Sequence, residues 1–354
     1  MTILGDPHNF GRCVELCQDG RIFKPRNLVW ENELLCATSR LRTLFVHLAE
    51  KNSNPYNPFR LFPDLKFWFE PDSLGMKEGF VECIQWRTPD YSFSPIIFES
   101  IGEAIAFLCW MGVGDLHRDN MAFGRTQDDK VIFSPLDVET IFNNFTLPSQ
   151  TLLISSQKVP PDKCGLYEIF KIINYADRLD LIGALCRGYL VGLSFFEKYG
   201  VEIERNILSW EDILETPVRV FPRSTAEYRR LQSSVSDISV ADSEAIQIQR
   251  GDIPFFFRKI SNSDIHFYDC KEISKKADLL PSLENCANAH VRLLEGDRFA
   301  SRNLEILKKA GVLQLARFFL GSWVGNVTYK DLTLCRKERL IIVWRDFLRL
   351  QCAA

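Results

Sequence analysis

Gly114-Asp115-Leu116-His117-Arg118-Asp119-Asn120 and, further on, Leu136-Asp137-Val138-Glu139 are the stretches from which the rest of this chain is read. Before them, Glu99 to Met111 places Ile101, Ala104, Ile105 and Leu108 on one helical face, and Gly112 and Gly114 act as stop signals. Between them, Met121 to Gly124 and Val131 to Leu136 read as a tight pair of strands around the polar turn Thr126 to Lys130. The order is helix, loop, hairpin, carboxylate. Asp and Asn are common in turns, so either stretch alone would pass for turn chemistry. Their order and spacing together carry more.

His117-Arg118-Asp119 looks like the His-Arg-Asp signature of protein kinases, which needs an Asn five residues after its Asp. Position 124 is Gly124, so that register does not work. Asp115 has Asn120 at the required spacing. In phosphoryl transfer such an Asp accepts the hydroxyl proton and the Asn holds magnesium. Asp137, where a strand stops, and Glu139 supply further hard oxygen donors of the kind magnesium prefers. At the other end of the chain, Gly5 and Gly11 bracket a first turn, and Lys24 lies on a third strand, placed to grip ATP phosphates as a point charge. The expected fold is α+β and protein/lipid-kinase-like with two lobes. Residues 1–95 form the small β-rich N-lobe with its phosphate-binding loop and Lys strand. Residues 96–354 form the larger helical C-lobe.

Working outward, Ile3-Leu4, Cys13 to Leu16, Arg21 to Lys24 and Gly79 to Trp86 read as strands, with Asp19-Gly20 as a hairpin signal. A helix is expected over Asn32 to Glu50, and others over 178–199, 224–235, 300–319 and 336–350. The Ser- and Asp-rich segment 232–245 reads as a loop. With 46% hydrophobic and 25% charged residues and a net charge of -3, the composition is globular and argues against nucleic acid as a partner. Eleven cysteines without Cys-x-x-Cys spacing fit buried thiols in a reducing cytosol. No signal peptide and no membrane-spanning run is visible.

The motifs, taken together, resemble the dehydratase domain of class II lanthipeptide synthetases along nearly the whole chain. Gly5-Asp6-Pro7-His8-Asn9-Phe10-Gly11-Arg12 is similar to that family's first loop, Phe23-Lys24-Pro25-Arg26 to its Lys-Pro-Arg strand, and Gly79-Phe80-Val81-Glu82 to its Gly-Trp-Val-Glu strand. Asp115-x-His117-x-x-Asn120 and Asp137-x-Glu139 resemble its phosphorylation motifs. Val218-Arg219-Val220-Phe221-Pro222-Arg223-Ser224-Thr225, with Tyr228, resembles its elimination segment, and Gly251-Asp252-Ile253-Pro254-Phe255-Phe256 a further signature.

The resemblance implies two steps on a Ser or Thr of a peptide or protein. ATP and magnesium first phosphorylate the hydroxyl, with Asp115 as base, His117 and Glu139 in the same step, Asn120 and Asp137 on metal and Lys24 on phosphates. Phosphate is then eliminated to leave dehydroalanine or dehydrobutyrine, with Arg219, Thr225, His8 and Asp6 serving this step. The family's zinc cyclase domain and the sequence preceding its kinase lobe have no counterpart here, so thioether closure is not expected. A stand-alone enzyme of the bacterial cytosol, or an effector in a host cytosol, fits this outline. The readings set against it are a protein or small-molecule kinase without the lyase step, and a kinase-like module that binds nucleotide without turnover.

Overall fold

A computed structural model describes the chain apart from residues 1, 52–55, 72–76, 88–92, 144–146, 157–158, 177–178, 234–238, 263, 271–272, 284–303, 322–323, 337–338, 345–347 and 354. It is a mixed α+β structure with several small antiparallel sheets.

The first sheet is five-stranded, in the order β1-β2-β3-β5-β4. It comprises β1 (Thr2–Ile3), β2 (Glu15–Leu16), β3 (Arg21–Lys24), β4 (Phe67–Pro71) and β5 (Lys77–Glu82). The helix expected over Asn32 to Glu50 is in fact two, α1 (Val29–Leu35) and α2 (Arg40–Lys51). The break falls where the Ser39 hydroxyl turns back to the Glu33 carbonyl and the Glu33 carboxylate takes the Leu41 amide, so side chains replace the helical ladder. Gly79 to Trp86, expected as one strand, is split between β5 and β6 (Trp86–Arg87), which belongs to a different sheet.

That second sheet, β6-β7-β8, contains the anticipated hairpin: β7 (Met121–Thr126) and β8 (Val131–Pro135). The long helix before it is α3 (Pro95–Trp110), which ends where Gly112 enters the left-handed region at φ 64°. Then come α4 (Tyr167–Ala176), α5 (Leu179–Leu208) and α6 (Glu211–Leu214). α5 crosses α3 at very close range: a Cβ built on Gly188 would stand 1.9 Å from the Glu99 carbonyl oxygen. Among the described residues it is the one helix long and apolar enough to cross a bilayer, but 72% of its most apolar window is buried. It is a core helix. Around its Phe196 pack Phe45, Tyr56 and Phe107, with Trp110 stacked on the same ring at 4.3 Å and Phe59 against Phe107.

The third sheet, β12-β11-β10-β9, is assembled from β9 (Pro217–Val220), β10 (Phe256–Lys259), β11 (His266–Cys270) and β12 (Ile273–Lys276). α7 (Thr225–Ser233) and α8 (Asp242–Gln249) lie between its first two strands. α8 begins inside the segment expected to be a loop; residues 234–238 of that segment lie outside the described ones.

After a π-turn (Leu307–Gly311), α9 (Val312–Leu320) leads to a four-stranded meander: β13 (Gly325–Tyr329), β14 (Leu332–Arg336), β15 (Arg339–Trp344) and β16 (Leu348–Ala353). The helix expected over 336–350 is thus replaced by strands. Leu340, Ile342 and Trp344 are buried while Ile341 and Val343 face outward, a period of two. Of the cysteines, Cys109, Cys164 and Cys186 are buried free thiols, and burial pushes Cys164 up to about 11.

Candidate active site

A cleft of about 1150 Å³ opens beside the first sheet. Asp6, Lys24 and Glu31 line it from one side, His117, Asn120 and Asp137 from another, and Thr225 and Arg229 at its rim. The sequence motifs therefore converge from separate elements on one space.

The loop Gly114 to Asn120 is tied down at both ends. The Gly114 amide donates to the Thr140 carbonyl (3.1 Å) and the Leu116 amide to the Thr151 carbonyl (2.9 Å). Between these anchors Asp115 adopts φ 59°, a left-handed conformation that costs energy in a residue with a side chain. The Asn120 side-chain amide donates to the Asp115 carbonyl (2.9 Å) and to its carboxylate (3.3 Å). Both contacts use the nitrogen and leave the amide oxygen for another partner. The Leu136 amide donates to the Asn120 carbonyl (2.8 Å), which brings Asn120 next to the strand end carrying Asp137. His117 Nε2 is 3.9 Å from Asp115, while Asp119, the acid of the rejected register, is 85% exposed. Desolvation raises the Asp115 carboxyl, against the pull of His117 and Arg219.

Behind the loop runs an unbroken chain of opposite charges. Lys24 donates to Glu31 (2.8 and 3.0 Å) and to the Leu136 carbonyl (2.9 Å). Glu31 also pairs with Arg26. Arg26 reaches Asp137 (2.7 Å) and Glu139 (2.9 Å). Glu139 in turn pairs with Arg219, whose own amide donates to the Glu139 carbonyl at 3.0 Å. Arg219 NH2 lies 3.4 Å from His8 Nε2, and its guanidinium sits over Phe221 and Phe255. Lys24, Arg26, Glu31 and Arg219 are all buried. Charges so placed persist only when paired, and each here has at least one partner.

The chain divides its carboxyls. Burial and the nearby Glu139 charge push Asp137 up to about 7, although Arg26 pulls the other way. Glu139 is held down to about 2: burial raises it, but Arg219 and Arg26 on either side overcome that. Glu31 is lowered in the same way by Arg26 and Lys24. Desolvation, aided by the Arg219 charge, brings His8 down to about 4, so its imidazole is neutral at pH 7.

Asp6 pairs with Arg229 at 2.6 Å across the mouth of the cleft. Thr225 opens α7, but Ser224 caps that helix: its hydroxyl and amide both engage Glu227, and its hydroxyl accepts the Glu227 amide. The Thr225 side chain is free of capping duty and lines the cleft. Among the described residues, no cluster of three or more His, Cys, Asp or Glu side chains is arranged to hold a metal. The expected magnesium donors are an amide oxygen and one carboxylate, a set that leaves room for water.

Sequence reasoning missed Glu31, and it quoted Arg26 without giving it a role. A buried Lys calls for a carboxylate, and the following helix holds both Glu31 and Glu33, but spacing does not choose between them. Glu33 turns out to serve Leu41 and Arg40. No family model and no curated protein matches this chain.

Proposed function

We propose that this chain is an ATP-dependent Ser/Thr dehydratase of kinase-like fold, acting on a peptide or protein in the cytoplasm by phosphorylation and then elimination. The observation that carries the reading is the placement of Glu139. One of its oxygens faces Arg26, in the group around Lys24 and Asp137, and the other faces Arg219, beside His8. Asp6 and Thr225 line the same cleft as Lys24, His117, Asn120 and Asp137, and the ion pairs through Glu139 tie Arg219 and His8, which do not line it, to that group. The N-terminal sheet with α1, and the helical body with the catalytic loop, would be the two lobes.

In the first step Asp115 accepts the proton of the Ser or Thr hydroxyl as its oxygen attacks the γ-phosphoryl of ATP, and the electron pair of the broken bond leaves with ADP. The raised Asp115 carboxyl is a better base than an ordinary carboxylate. Lys24, oriented by Glu31, is directed at the phosphates. The residues fit magnesium: Asn120 has an uncommitted amide oxygen, and the Asp137 carboxyl lines the same cleft. When bound, magnesium would neutralise phosphate charge.

In the second step a base removes the α-proton, the C–H electrons form the Cα=Cβ bond, and the Cβ–O bond breaks with its electrons leaving on phosphate. Arg219 receives that phosphate bidentately and Thr225 donates a hydrogen bond to it. His8 is the nearest candidate base. Its low basicity comes partly from the Arg219 charge, and a phosphate dianion on Arg219 offsets that charge.

The test uses a Ser/Thr peptide library with ATP and magnesium, read by mass spectrometry. Wild type is expected to yield peptides short of one water, Arg219→Ala to accumulate phosphopeptide, and Asp115→Asn to do neither. Phosphorylation without water loss in the wild type would leave a kinase. Nucleotide binding with no modification at all would leave a binding module.

A further inference from the structure

The first loop is held in a conformation it would not keep by itself. His8 and Arg12 close it with a pair of backbone hydrogen bonds, each 2.9 Å. Between them Asn9, Phe10 and Gly11 take φ values of 45°, 76° and 76°. Three successive left-handed residues, two of them bearing side chains, are disfavoured and need an outside partner. That partner is Asp252, which is fully buried. Its two oxygens accept the amides of Phe10 (2.9 Å) and Gly11 (2.7 Å), so a carboxylate sits in a nest of consecutive N–H groups. Arg250 balances the charge at 3.1 Å and covers the Phe10 ring at 4.2 Å.

The next residue completes the hold. The Ile253 amide donates to the Pro7 carbonyl at 2.9 Å, and His8 Nδ1–H donates to the Ile253 carbonyl at 2.7 Å. With Nδ1 so engaged, the imidazole carries its free lone pair on Nε2, the nitrogen beside Arg219. The segment then enters β10, where Phe257 pairs with Arg219 of β9. One short stretch, Asp252 to Phe257, therefore registers both His8 and Arg219.

We propose that Asp252 is a positioning residue for the elimination step: by holding the amides of Phe10 and Gly11 it locks the first loop in the shape that sets His8 Nε2 beside Arg219. The assignment rests on the dehydratase reading above. It predicts that loosening this anchor separates the two half-reactions, because the residues assigned to phosphorylation are fastened elsewhere, through Glu31, Thr140 and Thr151.

Two variants test it. Asp252→Asn keeps the side-chain shape and removes the charge; Arg250→Gln leaves the loop's own sequence untouched and withdraws the guanidinium that pairs with Asp252 and covers Phe10. Elimination is measured directly on a phosphoserine/phosphothreonine peptide library without ATP, and phosphorylation on the unmodified library with ATP and magnesium. In both variants kcat for elimination is expected to fall about 100-fold, as for an angstrom-scale misplacement. KM for elimination and the phosphorylation rate should stay within about threefold of wild type. Hydrogen exchange at Phe10 and Gly11 should accelerate in Asp252→Asn. Wild-type elimination with unchanged rates in the folded variants overturns the assignment alone, as does an equal loss of both half-reactions. If Asp252→Asn does not fold, Arg250→Gln decides by the same criteria. A wild type that eliminates no phosphate from the library overturns the dehydratase reading and this assignment with it.

Discussion

His8 shows how far neighbours can move one side chain. Its imidazole, lowered to about 4 by burial and by Arg219, is neutral through the physiological range. Inorganic phosphate bound at Arg219 is expected to raise that value toward the ordinary 6.5, which an NMR titration of the imidazole would follow; no movement would separate His8 from the phosphate site. The same shift sets a stability trend. Between about pH 6.5 and 4 the unfolded chain binds a proton there that the folded chain does not. Stability is therefore present above 6.5 and falls on acidification, by up to about 1.4 kcal/mol per unit. Arg26 makes a second case. Replacing it with Met takes the ion-pair partner from Asp137 and leaves Glu31 and Glu139 with one cation each, Lys24 and Arg219, and a loss of about 3–5 kcal/mol is expected in urea unfolding. That Asn120 meets Asp115 was legible from their spacing, and Lys24, Asn120 and Asp137 do share a cleft. The roles of Arg26 and Glu31 were not legible, because a buried ion pair is settled by packing between elements.

Among the elements, the hairpin β7–β8 and the helix before it were readable from periodicity and from the stop at Gly112. The C-terminal strands were misread, because Leu340 to Trp344 is a nearly continuous apolar run that suits a helix face as well as alternating burial. β4 went unread, since Trp68 and Phe69 are partly exposed on an edge strand and give no two-sided contrast. The contact of α3 with α5 depends on glycine. Gly188→Ala would drive a methyl into the Glu99 carbonyl and is expected to cost about 1–3 kcal/mol, visible as a lower urea midpoint with an unchanged slope. A neutral effect would mean that the two helices can slide apart without loss.

For the whole molecule, the α+β class was legible, but the division of the strands into four small sheets among the described residues was not. β9 and β10 pair across two intervening helices, and β5 returns to β3 across α1 and α2, pairings that local pattern does not specify. A ligand that closes the cleft should register on global stability. Magnesium with ADP at about 100 times Kd adds about 2.7 kcal/mol and raises Tm of the wild type. Asp137→Asn should lose most of that shift in the same thermal scan, whereas an equal shift would take Asp137 off the metal.

Glu139 is shared property. Because it pairs with Arg26 through one oxygen and with Arg219 through the other, a change on either side is felt at both guanidinium groups. Losing Arg219 would leave Glu139 to Arg26 alone, and losing the carboxylate would take this ion pair from Arg219. A lineage that kept only one of the two proposed reactions would be expected to retain, as structure, residues of the other.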